Sequence, residues 1–469
     1  MIYLPNLGLD PFSAEESRRV SIAFDIVDLS GLFRADYIGE FYSNKPPLYS
    51  FILAIFLKFI NSSIEFAARL PSALCILFTA IMSLYKLDWI KNNSTFFISL
   101  LLVVSPISIH FGRLADMDMI YASLIYLSFT DCLYYFDYKK NNKKLVSASI
   151  LQGISFCIRG PLGIFMLFVF ILFKSNSFQE IIKVLKIIAP SFLIISFGYF
   201  TIPLLLGSLS TRTLLLELYV RFVQIFPFFR QFSERVIVLF YCFIPSLIAF
   251  NNKNRINKNF YFIYKYCLCF VIILFLLPGF QSDYAYPVLM LLIIPSGIIL
   301  ENIVSSKEYL KIFPILLSIL IFANLYSLFL PNYANRTSNL NQAKNILLNG
   351  LRDEKYLSKN FSRKIFLTSR TKYIAPYLYN ENDSFELNIY NKKNLKDELD
   401  NIESKEFFLI SEKNIFENKK FINSIKEICS INEISKTYLI PQIFILSETN
   451  NPWQPKLNFN LYVVSKCAE

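Results

Sequence analysis

The sequence predicts a mainly α fold, a polytopic transmembrane helical bundle, followed by a C-terminal soluble α/β domain. Three observations carry this. Of 469 residues 54% are hydrophobic, with a mean hydropathy of +0.43, which is far too apolar for a globular chain of this length. Apolar runs recur along the first two thirds of the chain, and alternate loops between them are rich in lysine. After Pro331 the composition turns polar, with short β-like runs.

Taken in order, residues 1–47 contain no apolar core of the length a cleavable signal peptide needs, so none is expected. Leu48 to Ile60 is apolar but spans only 13 residues, too few for a crossing, and is expected to lie along the membrane interface. It follows NKPP, and prolines suit the first turn of a helix, where a missing N–H is tolerated. Longer runs follow at 70–88, 95–111, 119–136, 145–158, 161–173, 187–207, 235–250, 261–278, 284–303 and 311–331, or about ten spans. From 333 the β-like KIFLTS, EFFLIS and QIFILS alternate with helix-like stretches such as NLKDELDNIESK, the pattern of an α/β domain. The expected domains are therefore residues 1–332, including an outer-face loop 1–69, and residues 333–469.

Charge placement orients the bundle. The chain carries 47 Lys+Arg against 35 Asp+Glu, but most basic residues sit between apolar runs, so the excess reads as a topology signal and no nucleic-acid partner is expected. The basic loops at 86–91, 138–144, 174–186, 251–259 and 307–311 are expected on the cytoplasmic side. The opposite face then collects Arg113, Asp116, Asp118, Arg159, Glu217, Arg221 and Asp283, together with the amino-terminal segment. Ionisable groups gathered at one face of a membrane bundle mark a functional site. The single histidine, His110, argues against histidine-based chemistry, and no HExxH, CxxC or glycine-rich phosphate loop occurs. Six of eight cysteines lie in apolar runs and read as small hydrophobes, while Cys429 and Cys467 fall in polar sequence and are free to pair in an oxidising compartment.

Five short motifs follow one another in the first 175 residues: EESR at 15–18, KPPL at 45–48, FAARLPSAL at 66–74, RLADMD at 113–118 and RGP at 159–161. This order resembles the GT-C type integral-membrane glycosyltransferases of the protein O-mannosyltransferase superfamily, and within it is most like the bacterial lipid A aminoarabinose transferases, which depend on an undecaprenyl-phosphate-linked sugar. KPPL with FAARLPSAL is the specific part of the match; ELYVRF and DYAYP match loosely.

The resemblance implies a GT-C bundle in the bacterial inner membrane, with its active site and C-terminal domain on the periplasmic side. It implies an inverting transfer of a sugar from a polyprenyl-phosphate donor to a lipid or protein acceptor, lipid A among them, with membrane lipids around it. No cofactor is implied and no metal is predicted, although a divalent ion is compatible with the chemistry. Such a transfer needs a carboxylate to take or orient the acceptor's proton and fixed cations to hold the departing phosphate. The family pattern puts the principal carboxylate at Glu15 and a second at Asp118, with Glu16 and Asp116 as their neighbours. Lys45, Arg69, Arg159 and Arg18 are the candidate donor-phosphate ligands. Because residues two apart on a helix do not share a face, only one of Asp116 and Asp118 is expected to reach the cavity. A structural pair between Glu16 and Arg18 is also expected.

Three departures stand out. Family members carry Asp where this chain has Glu15. They open with a transmembrane helix ahead of the acidic pair, and only 14 residues precede Glu15 here. The late motif, which in the family carries a basic residue, reads QSDYAYP. Three other readings stay open: a protein O-mannosyltransferase-like enzyme, a polytopic lipid or glycan transporter, and an inactive homologue. A transporter tends to show internal repeats and polar residues at mid-membrane, and neither pattern is visible.

Overall fold

Proline, serine and glycine positions decide where the helices begin and end. A computed structural model describes residues 3, 4, 7, 8, 12, 14–26, 36–38, 40–42, 45–90, 94–205, 258–276 and 282–305, and five strands between 361 and 466. Helix α1 (Ala14–Asp25) opens the chain and is followed by a two-residue hairpin, β1 (Asp36–Tyr37) with β2 (Glu40–Phe41). Helix α2 (Leu48–Phe59) starts straight after Pro47, and its 12 residues are about 18 Å long, short of the ~30 Å hydrocarbon core. Tyr49, Ser50 and Leu53 face inward, whereas Phe59 is 74% exposed, as the expected interfacial helix requires.

Helix α3 (Ile64–Lys86) begins six residues ahead of its apolar run, because Ser63 caps it by accepting the Phe66 N–H at 3.3 Å. The expected span at 95–111 is two helices, α4 (Ser94–Val104) and α5 (Pro106–Gly112). Pro106 disfavours the helical conformation at the residue before it, and Ser105 is extended (φ −66°, ψ 138°) and caps α5 through the Ser108 N–H. Helix α6 (Asp118–Leu133) runs into a π-turn at Tyr134–Tyr138, and α7 (Asn142–Arg159) is capped by Asn141. Then come α8 (Leu162–Lys174), α9 (Phe178–Leu205), α10 (Lys258–Leu276) and, after one 3-10 turn at Ser282–Ala285, α11 (Tyr286–Ser305). The expected spans at 235–250 and 311–331 lie outside the described residues.

Helices α3, α4, α6, α7 and α11 build the core, with α9 along α7 and α10 along α11. Among the described residues two helices, Ile64–Lys86 and Phe178–Gly198, are long and apolar enough to cross a membrane. Lipid-side apolar residues such as Ile194 and Phe197 on α9 are exposed at 73% and 63%.

The strands β3 (Phe361–Leu367), β4 (Glu386–Ile389), β5 (Glu406–Glu412), β6 (Cys429–Leu439) and β7 (Leu457–Lys466) form one sheet in the order β4-β3-β5-β7-β6. β3 is parallel to β4 and β5, and β7 is antiparallel to β5 and β6. KIFLTS and EFFLIS begin in β3 and β5; QIFILS, NLKDELDNIESK and Cys467 lie outside the described residues.

Candidate active site

The site assembles from five places: the first turns of α1, the segment leading into α2, the loop that opens α6, the turn between α7 and α8, and the 3-10 turn ahead of α11. Glu15 and Glu16 stand in the first turn of α1, where carboxylates complement the positive end of the helix. Adjacent helical residues project about 100° apart, and these two go separate ways.

Glu16 turns into the core and is 1% exposed. Arg69 on α3, 4% exposed, donates to both its oxygens, Nε to Oε1 at 2.8 Å and Nη2 to Oε2 at 3.0 Å. The Ala115 N–H donates to Oε1 at 2.8 Å, and Arg69 Nη1 donates to the Leu7 carbonyl at 2.9 Å. One bidentate pair therefore ties α1, α3, the amino-terminal segment and the 113–117 loop. The expected Glu16–Arg18 pair does not form. Arg18 pairs with Glu15, three residues away and on its own helical face, whereas a two-residue offset points elsewhere.

Glu15 also lies 3.5 Å from Arg19, which is buried at 4% exposure and sits 3.7 Å from Asp116. Arg19 Nη1 donates to the Tyr42 hydroxyl at 2.9 Å. Burial works against the charged guanidinium of Arg19, but Tyr42, Asp116 and Glu15 outweigh it and hold its pKa above the usual range. Burial pushes the Asp116 carboxyl up; Arg19 pulls it down, Glu15 raises it, and Arg159 pulls it down from the other side. Glu15, with 29% of its side chain exposed, is the most accessible of the four candidate carboxylates.

Arg159 heads the second group. It forms an ion pair with Asp118, the first residue of α6, and its guanidinium lies over the rings of Tyr284 at 4.9 Å and Tyr121 at 5.8 Å. Lys45 Nζ lies 5.8 Å from the same Tyr284 ring. Thus both cations lie against the one tyrosine ring. The Tyr121 hydroxyl accepts the Gly163 N–H at 2.8 Å and so fixes the start of α8 beside Arg159. Since Asp116 precedes the helix, the rule about faces does not bind it. It meets Arg19 while Asp118 meets Arg159, so each carboxylate is held by a different arginine.

Gly160, between Arg159 and Pro161, has φ 111° and ψ −159°, a region open essentially to glycine alone. Gly160→Ala is expected to cost about 1–3 kcal/mol and to displace Arg159. A lowered thermal unfolding midpoint in detergent checks this, and Ser155→Ala, on the same helix, serves as the comparison.

The structure brings six of the eight expected site residues into these two groups, and the other two, Glu16 and Arg69, pair with each other as a brace on α1 and α3. Sequence reasoning passed over Arg19 as a site residue, and also Tyr42, Tyr121 and Tyr284. The signals were present: Arg19 is four residues from Glu15, and Tyr284 is the first of the two tyrosines in the late motif QSDYAYP. Glu217 and Arg221 lie outside the described residues.

Residues 44–200 match the family model of dolichyl-phosphate-mannose-protein mannosyltransferases. The crystal structure of ArnT from Cupriavidus metallidurans in the apo state is similar, with a TM-score of 0.68 over 98% of this chain and 95% of that one at 10% identity. The fold is the GT-C fold. ArnT from the same organism bound to undecaprenyl phosphate matches with a TM-score of 0.67 at 10% identity, covering 98% and 96% of the two chains. The apo oligosaccharyltransferase of Archaeoglobus fulgidus matches with a TM-score of 0.52 at 10% identity, over 88% of this chain and 68% of that one. A search of curated proteins returns no match. Family model and fold agree, both resembling membrane glycosyltransferases.

Proposed function

We propose that the chain is an inverting GT-C glycosyltransferase that moves a sugar from a polyprenyl-phosphate donor to an envelope acceptor such as lipid A, at the outer face of the inner membrane. The observation that carries this reading is the adjacency of two unlike groups. An accessible carboxylate, Glu15, is gripped by Arg18 and Arg19, and two cations, Lys45 and Arg159, lie 5.8 and 4.9 Å from the Tyr284 ring. Asp116 adjoins both groups, since Arg19 and Arg159 each act on it.

In this reading the acceptor oxygen attacks the anomeric carbon from the side opposite the phosphate. The new C–O bond forms as the old one breaks, and the bonding electrons leave on the polyprenyl phosphate. A hydroxyl acceptor gives its proton to Glu15, whereas a phosphate acceptor has none to give and is only oriented. Lys45 supplies a point charge and Arg159 a planar fork to the leaving phosphate, with Asp118 holding the fork in place. Arg19 keeps Glu15 and Asp116 at fixed separation, and the Glu16–Arg69 brace supports both groups from below.

A protein hydroxyl is the second acceptor to consider, because the matching family model is one of protein mannosyltransferases. One experiment separates the two. Cells lacking the gene are supplied with the full chain, and envelope lipids, glycans and proteins are compared by mass spectrometry. A sugar-sized increment on a lipid supports the first reading, and one on protein supports the second. No increment on either, with the chain expressed and the donor present, contradicts the proposal.

A further inference from the structure

The opposite end of the bundle carries a second concentration of charge that transfer chemistry does not use. Helices α7 and α9 run side by side in the same direction: Ser149 Oγ donates to the Ile188 carbonyl at 2.5 Å, and Gly153 lies against Ile195. Both helices therefore begin at one end, where the π-turn closing α6 and the last residues of α8 also lie. Besides Glu301 of α11, which accepts from the Ser94 hydroxyl, this end holds among the described residues Lys86, Lys139, Lys140, Lys143, Lys144, Lys174, Lys183 and Lys186 against Asp88, Asp131, Asp137 and Glu180.

Three of those four carboxylates are engaged. Asp131, fully buried, pairs with Lys86 and with Lys144 at 3.4 Å, and accepts from Ser147 Oγ at 2.7 Å. Asp137 pairs with Lys174 at 2.6 Å, and Glu180 pairs with Lys140, whose ammonium also lies 4.6 Å from the Tyr135 ring. These pairs pin the 139–144 loop, the end of α8 and the start of α9 together. Lys139, Lys143, Lys183 and Lys186 are all exposed, and among the described residues none of them makes an ion pair. Exposed aromatic residues border them: Tyr138 at 60%, Phe173 at 64% and Phe178 at 74%.

Lysines surplus to their local carboxylates, next to exposed aromatic rings at the end of a membrane bundle, match the chemistry of an anionic lipid surface. The ammonium groups meet headgroup phosphates, and the rings sit at headgroup depth. We infer that Lys139, Lys143, Lys183 and Lys186 form a docking surface for the headgroups of anionic phospholipids, held in register by the Lys140–Glu180 and Lys174–Asp137 pairs. The inference rests on the membrane location and not on the proposed transfer reaction.

The test uses the full chain reconstituted in phosphatidylcholine nanodiscs containing a minor fraction of phosphatidylglycerol. The lipids that remain bound after mild detergent extraction are counted by native mass spectrometry. Each lysine near such a surface contributes about five-fold in partition, so the quadruple variant K139Q/K143Q/K183Q/K186Q is expected to retain phosphatidylglycerol at least about ten-fold less well. Lys58→Gln, an exposed lysine on α2, is expected to behave as the parent chain. Retention by the parent should fall between 0.1 and 0.5 M salt. Equal phosphatidylglycerol retention by parent and quadruple variant would overturn the inference, as would retention insensitive to salt or full displacement by millimolar inorganic phosphate. Loss of transfer activity with lipid retention intact would count against the proposed reaction alone.

Discussion

Glu15→Gln is expected to lower sugar transfer by about 10²–10⁴-fold while leaving the protein folded. Glutamine keeps the shape and a hydrogen-bonding oxygen but removes the negative charge that accepts the proton. The folded state should tolerate the change, because Glu15 and Arg18 are each 29% exposed and pairs of that kind contribute about 0.2–1 kcal/mol. Arg19 keeps Asp116 and the Tyr42 hydroxyl as partners. Glu15→Asp is the informative companion. It restores the residue that the resembling family carries but withdraws the carboxylate by one methylene. If this pocket is shaped for the longer side chain, a displacement of ~1 Å costs on the order of 100-fold in rate. Single-turnover transfer with purified protein measures both, and thermal unfolding confirms that the variants are folded. A Glu15→Gln chain as fast as its parent would remove Glu15 from the catalytic role.

Glu16→Gln is expected to act through stability, with a loss of about 3–5 kcal/mol, because it strands the buried Arg69 guanidinium. The comparison with Glu15 is instructive, since the two carboxylates are neighbours in sequence and differ in exposure from 29% to 1%. Removing both charges as Glu16→Met with Arg69→Met is expected to recover only part of the loss. The Ala115 N–H and the Leu7 carbonyl would still lack their partners, at about 1–3 kcal/mol each. Unfolding midpoints of the single and double variants in one detergent measure this. The activity that remains should track the folded fraction, as befits a brace. A Glu16→Gln protein of parental stability would mean that the pair does not hold the four segments together.

Local features of the site were legible in the sequence. NKPP marked the start of α2 because proline's chemistry is local, whereas the three- and four-residue spacings that put Arg18 and Arg19 on the face of Glu15 tell only once α1 is known to be a helix. The resemblance in KPPL, FAARLPSAL and RGP anticipated that Lys45 and Arg159, 114 positions apart, would share a site, and both lie against Tyr284. What escaped was long-range or depended on where a helix stops. No periodicity tells that Arg69 meets Glu16, 53 positions away, or that Lys45 and Arg159 meet the same ring, Tyr284. Whether Asp116 and Asp118 share a site turned on α6 beginning at Asp118 and not earlier, and helix ends are the least certain part of any pattern reading. Hydropathy likewise read 95–111 as one span, since Pro106 and Ser105 interrupt the helix without interrupting the apolar run.

The central claim is that Lys45 and Arg159 receive the phosphate of a polyprenyl-phosphate donor, and binding tests it most directly. The affinity of the purified full chain for polyprenyl phosphate would be measured beside that of Lys45→Met, which keeps the apolar stem and deletes the charge. Charge-assisted contacts contribute about 1.5–3 kcal/mol, so Lys45→Met should bind at least about ten-fold more weakly with an unchanged unfolding midpoint. Failure of the parent chain to bind polyprenyl phosphate, or equal affinity in Lys45→Met, would contradict the account.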